Sequence, residues 1–218
     1  TANRKIRFPR GKVVGGSSSI NGHLYVRGQA DDYDGWAQKG CLGWSWSDVL
    51  PYFMKAESRP EGNKNFRGNE GPLHISDLTS PHPLAKLFIE TAHSIGIKKN
   101  TDYNSGDQEG SFLYQTMIKN SMRWSASDAY LNPILSKKNF KLLIKTYLHK
   151  IIFNNKKIES VIIKQGLILK KILINKELIL CAGAINSPQI LQNNGIGNQL
   201  KLKEPVSYTH LTLPTIYS

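Results

Sequence analysis

The stretch GKVVGGSSSING, residues 11–22, decides how this chain is interpreted, and we call it the Gly-Ser loop. Gly15 and Gly16 permit backbone conformations that other residues avoid, and they let the chain approach a ligand closely. The hydroxyl and N–H groups of residues 17–19, at the start of a helix, suit phosphate or another anion. Alone, the loop indicates phosphate or nucleotide binding, and an ordinary glycine-serine turn with a capped helix explains it equally well.

The composition is that of a globular protein. Of the 218 residues 39% are hydrophobic, and no tract is dominated by Pro, Gly or Ser. Cys41 and Cys181 lie far apart without the spacing of metal ligands, so neither a disulfide framework nor a metal site is expected. The sequence has no secretion signal and no apolar run of the roughly 18 to 20 residues that a membrane span needs, so a cytoplasmic location is expected.

The formal net charge of +13 raises the alternative of a basic nucleic-acid-binding module. Lys supplies most of this excess, chiefly within residues 137–176, a segment that is also rich in Ile and Asn. The lysines are interspersed along predicted strands, and no RNP-like or helix-turn-helix pattern is present. A solvated surface is therefore the favoured interpretation, and no nucleic-acid partner is expected.

Hydrophobic spacing predicts a mixture of helices and short strands. Helices are expected over 20–26, from 47, over 83–96, over 125–135 and from Ser187, with Ser187 as N-cap and Pro188 as first residue. Strands are expected over 73–75, 112–122, 142–144, 150–153, 160–164, 168–174 and 177–181. Cys181 would then be a buried thiol within a strand. The aromatic residues between 31 and 58 are expected to pack as a lid.

Two longer motifs resemble the two signatures of the glucose-methanol-choline (GMC) oxidoreductase family. Residues 11–34 match the first signature almost position for position. Residues 183–197 match the second, except that Asn194 stands where Ser is usual. Shorter segments at 71–75, 108–110 and 123–126 are also similar. The resemblance covers nearly all of residues 10–197 and points to a choline dehydrogenase-like member.

The resemblance implies an α/β fold, namely an incomplete FAD-binding domain of Rossmann type with part of an antiparallel-sheet substrate domain. Residues 1–70 would be an FAD-binding segment with the lid, 71–136 a substrate-domain segment, and 137–205 a returning FAD-binding segment. The carboxylates at 31, 32 and 34 are interpreted as loop and hinge residues. Residues 206–218 resemble a translated sequencing adapter and are expected to be a non-native tail.

The resemblance also implies an FAD-dependent alcohol dehydrogenase. In such enzymes a His base takes the hydroxyl proton of a small alcohol, the α-hydrogen leaves as hydride to flavin N5, and a quinone or another carrier reoxidises the flavin. An oxygen-using oxidase of the same family stays open, as does membrane association through the electron acceptor. The GxGxxG fingerprint should precede Thr1 and the His base should follow Gly197. No catalytic residue, and no turnover, is therefore expected from this chain alone.

The resemblance assigns seven positions to FAD. Six are Val13, Ser17, Asn21, Gly22, His23 and Leu24, with Asn21 close to the reactive edge of the ring. The seventh is Leu148, whose backbone is expected to meet the adenine. Ile20 occupies the place where some members have a His bonded covalently to FAD, so a noncovalent cofactor is expected. Position 23 is more often Met in the family, and His23 is expected to be a satisfied side chain beside the site rather than a group that polarises it.

Overall fold

The computed structural model describes residues 3–197, which divide into two units. The first unit ends at Lys141 and the second begins at Leu142. Within the described range no helix is long and apolar enough to cross a membrane. The predicted non-native tail, 206–218, lies outside the described residues.

The first unit consists of short elements joined by long loops. Its α-helices are α1 (Ala30–Gln38), α2 (Trp46–Ala56) and α3 (Pro83–Ser94), and its shorter helical turns are Gly16–Ser19, Ser127–Leu131 and Asn132–Ile134. Strand β1 (Glu57–Ser58) pairs in parallel with β2 (Leu73–His74). Strand β3 (Ile118–Lys119) pairs in antiparallel fashion with β4 (Met122–Arg123). Isolated bridges connect Thr116 to Leu24 and to Ser76.

Local capping explains why α2 and α3 begin where they do. The N–H of Asp48 donates to Ser45 Oγ at 3.3 Å, and the N–H of Ser45 donates to the Asp48 carboxylate at 3.0 Å, which is a capping box. Helix α3 begins with Pro83, and Gly96 follows its end with φ of 93°. Both predicted helices are confirmed.

The second unit is a three-stranded antiparallel meander followed by a helix. Strands β5 (Thr146–Asn154), β6 (Lys157–Gln165) and β7 (Ile168–Leu173) lie in the order β5-β6-β7, and α4 spans Gly183–Asn193. Its core contains Ile151, Val161 and Ile163, with Ile190 of α4 packed against them. Asn194 Oδ1 accepts a hydrogen bond from the Ile151 N–H at 2.7 Å. The residue that departs from the second signature therefore ties the helix end to the sheet.

Two predicted elements of the first unit were wrong in type, and a third is helical but irregular. Residues 20–26 form no helix, because they lie as extended chain whose Tyr25 N–H donates to the Gln115 carbonyl at 2.9 Å. Residues 112–122 contain β3, the first residue of β4 and bridges at Thr116 rather than one strand. Residues 125–135 are helical, but as a π-helical turn followed by a 3-10 turn that contains Pro133.

Two predicted strands of the second unit, 142–144 and 177–181, are also absent. Helix α4 begins before Ser187, and Pro188 lies inside it. The Ser187 hydroxyl oxygen accepts from the Ala182 N–H at 3.0 Å, so this side chain still satisfies a backbone donor near the helix start. Cys181 is exposed, not buried, since the segment that holds it pairs with no strand.

The predicted loop and hinge carboxylates instead lie on α1. Asp31 and Asp32 are in its first turn, where acidic side chains complement the helix dipole. Asp32 Oδ2 accepts from the Gln29 N–H at 2.8 Å. Asp34 Oδ1 accepts from the Trp46 N–H at 2.8 Å and so connects α1 to the start of α2.

Candidate functional site

The Gly-Ser loop is a tight turn that its own serines close. The Gly16 N–H donates to the Val13 carbonyl at 2.9 Å. The hydroxyl of Ser18 donates to the Gly15 carbonyl at 2.6 Å, and that of Ser19 donates to the Val14 carbonyl at 2.9 Å. Ser17 Oγ accepts from the Gly11 N–H at 3.1 Å. Two of the three hydroxyls therefore hold the turn, whereas Ser17 keeps its own hydrogen for a further bond.

The loop glycines are required for two different reasons. A Cβ on Gly11 would lie 2.1 Å from the Gly16 carbonyl oxygen, and a Cβ on Gly15 would lie 2.4 Å from Ser19 Oγ. A Cβ on Gly16 would meet nothing within 4 Å, but its φ of 58° is left-handed. Gly11 and Gly15 thus allow close packing, and Gly16 allows the backbone conformation.

A second segment, residues 115–126, supports the loop from elsewhere in the first unit. The Met117 N–H donates to the His23 carbonyl at 2.8 Å. Arg123 Nη1 donates to the Ser18 carbonyl and to Asn21 Oδ1, both at 3.0 Å. The Ala126 N–H donates to Ser18 Oγ at 2.9 Å. Residues 123–126 were noticed only as similar to the family, and no property of Arg123 in the sequence indicates this contact.

Five of the six candidate residues at the loop are exposed, and His23 is half-buried. The apolar side chains of Val13 and Leu24 are 55% and 47% exposed, and Ser17, Asn21 and Gly22 are also exposed. Apolar side chains with a few polar groups among them suit a flat ring system whose faces are apolar and whose edges are polar. These residues fit a flavin. Leu148 lies in the second unit, on β5, half-buried and paired with Ile163.

His23 is held in an unusual backbone conformation. Its φ is 55°, which is uncommon for a residue other than glycine, and its N–H donates to Asn21 Oδ1 at 3.0 Å. Burial, and then the nearby positive charge of Arg123, lowers the pKa of His23 below its ordinary value. Both effects favour the neutral imidazole.

The segment that follows the Gly-Ser loop in sequence contributes Arg27 to a cluster of buried charged side chains. Arg27 and Arg67 both form ion pairs with Glu57, and all three side chains are almost completely buried. Burial raises the pKa of Glu57, and the two guanidinium groups oppose that rise. Arg27 also donates through Nη1 to the Phe66 carbonyl at 2.5 Å. Because these residues come from three separate segments, their pairing fixes the loops of the unit relative to each other.

Neutral polar groups extend this cluster to the backbone that follows the loop. The Tyr103 hydroxyl donates to the Tyr25 carbonyl at 2.6 Å and accepts from the Gln115 N–H at 2.8 Å. Asn104 Oδ1 accepts from the Arg27 N–H at 2.9 Å. Burial raises the pKa of Tyr103 to about 12. Residues 25–27 are thus held on both sides, and the sequence analysis missed the whole cluster.

The aromatic residues of α1 and α2 pack around Tyr33. Its ring centroid lies 5.2 Å from that of Trp36 and 5.6 Å from those of Trp46 and Phe53. The Trp36 and Trp44 centroids are 6.1 Å apart, and both side chains are about half exposed. The aromatic residues thus pack on one another, and their role as a lid stays a prediction.

The profile of the family described as GMC oxidoreductase matches residues 1–209. The chain belongs to the GMC oxidoreductase family. An oxygen-dependent choline dehydrogenase from Brucella ovis is 43% identical to this GMC chain over 201 residues, which are 92% of this chain and 36% of that protein. Another, from Sinorhizobium fredii, is 42% identical over 202 residues, 93% and 37% of the two chains.

Solved structures agree with the family assignment. Pyridoxine 4-oxidase from Mesorbium loti matches with a TM-score of 0.82 and 30% identity, over 89% of this chain and 38% of that one. An FAD-dependent oxidoreductase from Chaetomium thermophilum matches with the same TM-score and identity, over 88% and 36%. The GMC chain therefore spans a little over a third of the length of these proteins. The predicted fold class, an incomplete α/β domain of Rossmann type, is confirmed.

Proposed function

We propose that this GMC chain forms part of the FAD site of an alcohol oxidoreductase. The observation that supports it most strongly is the Gly-Ser loop, whose backbone is fixed while Val13, Ser17, Asn21 and Leu24 stay exposed. The whole protein would oxidise the CH–OH group of a small alcohol to an aldehyde or ketone, as a choline dehydrogenase-like enzyme. Similarity to proteins named as choline dehydrogenases supports this activity.

The residues of this chain would bind and orient the cofactor. FAD, when bound, supplies the acceptor for the hydride that leaves the alcohol. Val13 and Leu24 offer apolar contact, and the Ser17 hydroxyl and the Asn21 amide offer hydrogen bonds. Gly22 and His23 complete the set at the loop, and the Leu148 backbone would contact the adenine. The binding is expected to be noncovalent, because Ile20 stands where some members of the family have the His that bonds to the flavin.

A titration of the purified chain with FAD tests the proposal. Val13→Ser removes an exposed apolar contact at the loop, and we expect FAD to bind about tenfold more weakly, as loss of roughly 1.4 kcal/mol implies. Val26→Ser is the matched control, since Val26 is 49% exposed and is not assigned to FAD. Quenching of flavin fluorescence gives both dissociation constants. A folded wild-type chain that binds no FAD would contradict the proposal.

The electron acceptor is proposed to be a quinone or another carrier, with oxygen as the alternative. Relatives are named oxygen-dependent choline dehydrogenases. Because this name mentions oxygen, both oxygen and a carrier need to be tested as the electron acceptor. We expect no alcohol oxidation by this chain alone, since it offers no candidate for the His base. Peroxide release compared with dye reduction, measured on a protein of the relatives' full length that contains this chain, would distinguish the acceptors.

A further inference from the structure

The side-chain oxygen of Asn21 accepts two hydrogen bonds from within the protein. Asn21 Oδ1 accepts from Arg123 Nη1 and from the His23 N–H, each at 3.0 Å. A guanidinium and a backbone N–H can only donate, so the amide oxygen must face them. The usual ambiguity between the oxygen and nitrogen of an Asn side chain is therefore removed by chemistry.

The amide nitrogen is consequently turned away from these two partners. Asn21 is exposed, and among the hydrogen bonds within residues 3–197 none is donated by its Nδ2. The group that remains for a ligand is an N–H donor. An acceptor atom, such as a ring nitrogen or a carbonyl oxygen, would satisfy it, whereas a donor would not.

We propose that Asn21 recognises its ligand only as a hydrogen-bond donor, and that Arg123 is the positioning residue that sets this polarity. Arg123 lies at the end of β4 and is half-buried. Its Nη1 also donates to the Ser18 carbonyl at 3.0 Å, so the guanidinium is braced against the loop at two points. The proposal rests on the proposed function in taking FAD as the ligand, and it adds which atoms of FAD the loop selects, namely acceptors.

The substitution Asn21→Asp tests the donor role of Asn21 while it preserves the structure of the loop. A carboxylate can still accept from Arg123 and from the His23 N–H, so the loop keeps its shape, but it has nothing to donate. We expect FAD to bind about tenfold more weakly, the effect of losing one hydrogen bond of roughly 1.4 kcal/mol. Asn120→Asp, an exposed change of the same charge in the turn between β3 and β4, should leave the FAD affinity unchanged.

Hydrogen exchange of the His23 amide, measured without FAD, reports the loop alone. We expect protection in the wild type and in Asn21→Asp, and loss of protection in Asn21→Ala. Arg123→Met should reduce protection, because Asn21 loses its brace, and should weaken FAD binding as well. Unchanged FAD affinity in Asn21→Asp would overturn the donor role, and unchanged exchange in Arg123→Met would overturn the positioning role. If the wild type binds no FAD, the proposed function fails, while the exchange data still decide whether Arg123 presets Asn21.

Discussion

The two units of this chain are stabilised by different chemistry. In the second unit Ile151, Val161 and Ile163 form an aliphatic core, and Ser160 is its only buried polar residue among those described. In the first unit, buried residues include the charged and polar side chains of Arg27, Glu57, Arg59, Arg67, Asn104, Gln115, Thr116 and Ser125. A sheet can bury one face with apolar residues alone, but long loops expose backbone groups that must find polar partners.

The difference bears on function because the Gly-Ser loop belongs to the polar unit. Its backbone is fixed by the hydroxyls of Ser18 and Ser19 and by Arg123 and Ala126 from a distant segment, whereas the side chains of Val13 and Ser17 stay exposed. An aliphatic core could not position a loop in this way, since apolar contacts have little directionality. The first unit should therefore be sensitive to loss of single polar groups, and the second to loss of volume.

The largest effect should come from Glu57→Gln, which removes the negative charge between Arg27 and Arg67. Two buried guanidinium groups would lose their counter-charge, and we expect the free energy of unfolding to fall by about 3–5 kcal/mol. All four Trp residues of the chain lie in the first unit, so urea unfolding followed by Trp fluorescence reports this change. Asp107→Asn is the control within the same unit, because its pair with Lys98 is exposed and is expected to contribute less than about 1 kcal/mol. Equal losses in the two variants would break the contrast.

A smaller effect is expected in the second unit from Ile151→Ala. This side chain is buried in the core, and truncation should cost about 3 kcal/mol through lost burial and a cavity. Exchange of the β5 and β6 backbone amides measures it. Ile151→Val, which removes one methylene, should cost only about 1 kcal/mol. If both substitutions cost the same, the site is not close-packed.

Two alanine substitutions in the Gly-Ser loop separate packing from backbone strain. Gly16→Ala should cost about 1 kcal/mol, because its φ is left-handed but a Cβ has room. Gly15→Ala should cost about 2–3 kcal/mol, because its φ of 89° and a 2.4 Å approach to Ser19 Oγ add to each other. Urea unfolding followed by Trp fluorescence ranks the two, and a larger loss for Gly16→Ala would contradict the described turn.

The smallest expected effect is the pH response of His23. Its pKa in the folded unit is below the ordinary value of 6.5, so the folded state binds fewer protons than the unfolded chain in that window. Stability from this residue is present above pH 6.5 and decreases as the pH falls through the lower folded pKa. An NMR titration of the imidazole should give a midpoint below 6.5. Arg123→Gln should return the midpoint only part of the way towards 6.5, because burial is the larger cause of the shift. A wild-type midpoint above 6.5 would contradict the lowered pKa of His23.

Features that depend on neighbouring residues were predictable from the sequence. Helix α3 was expected from its apolar period and the start of α2 from residues 47–50 before Pro51, and both are local signals. The tight glycine turn was expected for the same reason. Residues 20–26 were misassigned as helix, because their partners at 115–117 are distant in sequence and no local pattern announces them.

Polar contacts between distant segments were not predictable. Glu57, Arg27 and Arg67 come from three segments with no shared period, and Arg123 lies in a segment that only the family resemblance marked. The assignment of seven residues to FAD came from that resemblance and stays a prediction. These residues are Val13, Ser17, Asn21, Gly22, His23, Leu24 and Leu148. The structure adds which of these groups are exposed and what holds them.

The large sequence separation between the Gly-Ser loop and the residues that hold it also affects how the loop forms during protein synthesis. Ser18 bonds to Arg123 and to Ala126, which lie 105 and 108 residues further along the chain. At a ribosomal rate of about 5–20 residues per second, the loop waits roughly 5–20 s before these partners have been made. During that interval its exposed valines and isoleucine have no fixed arrangement. The nascent loop should therefore acquire affinity for a cofactor only after residue 126 has left the ribosome.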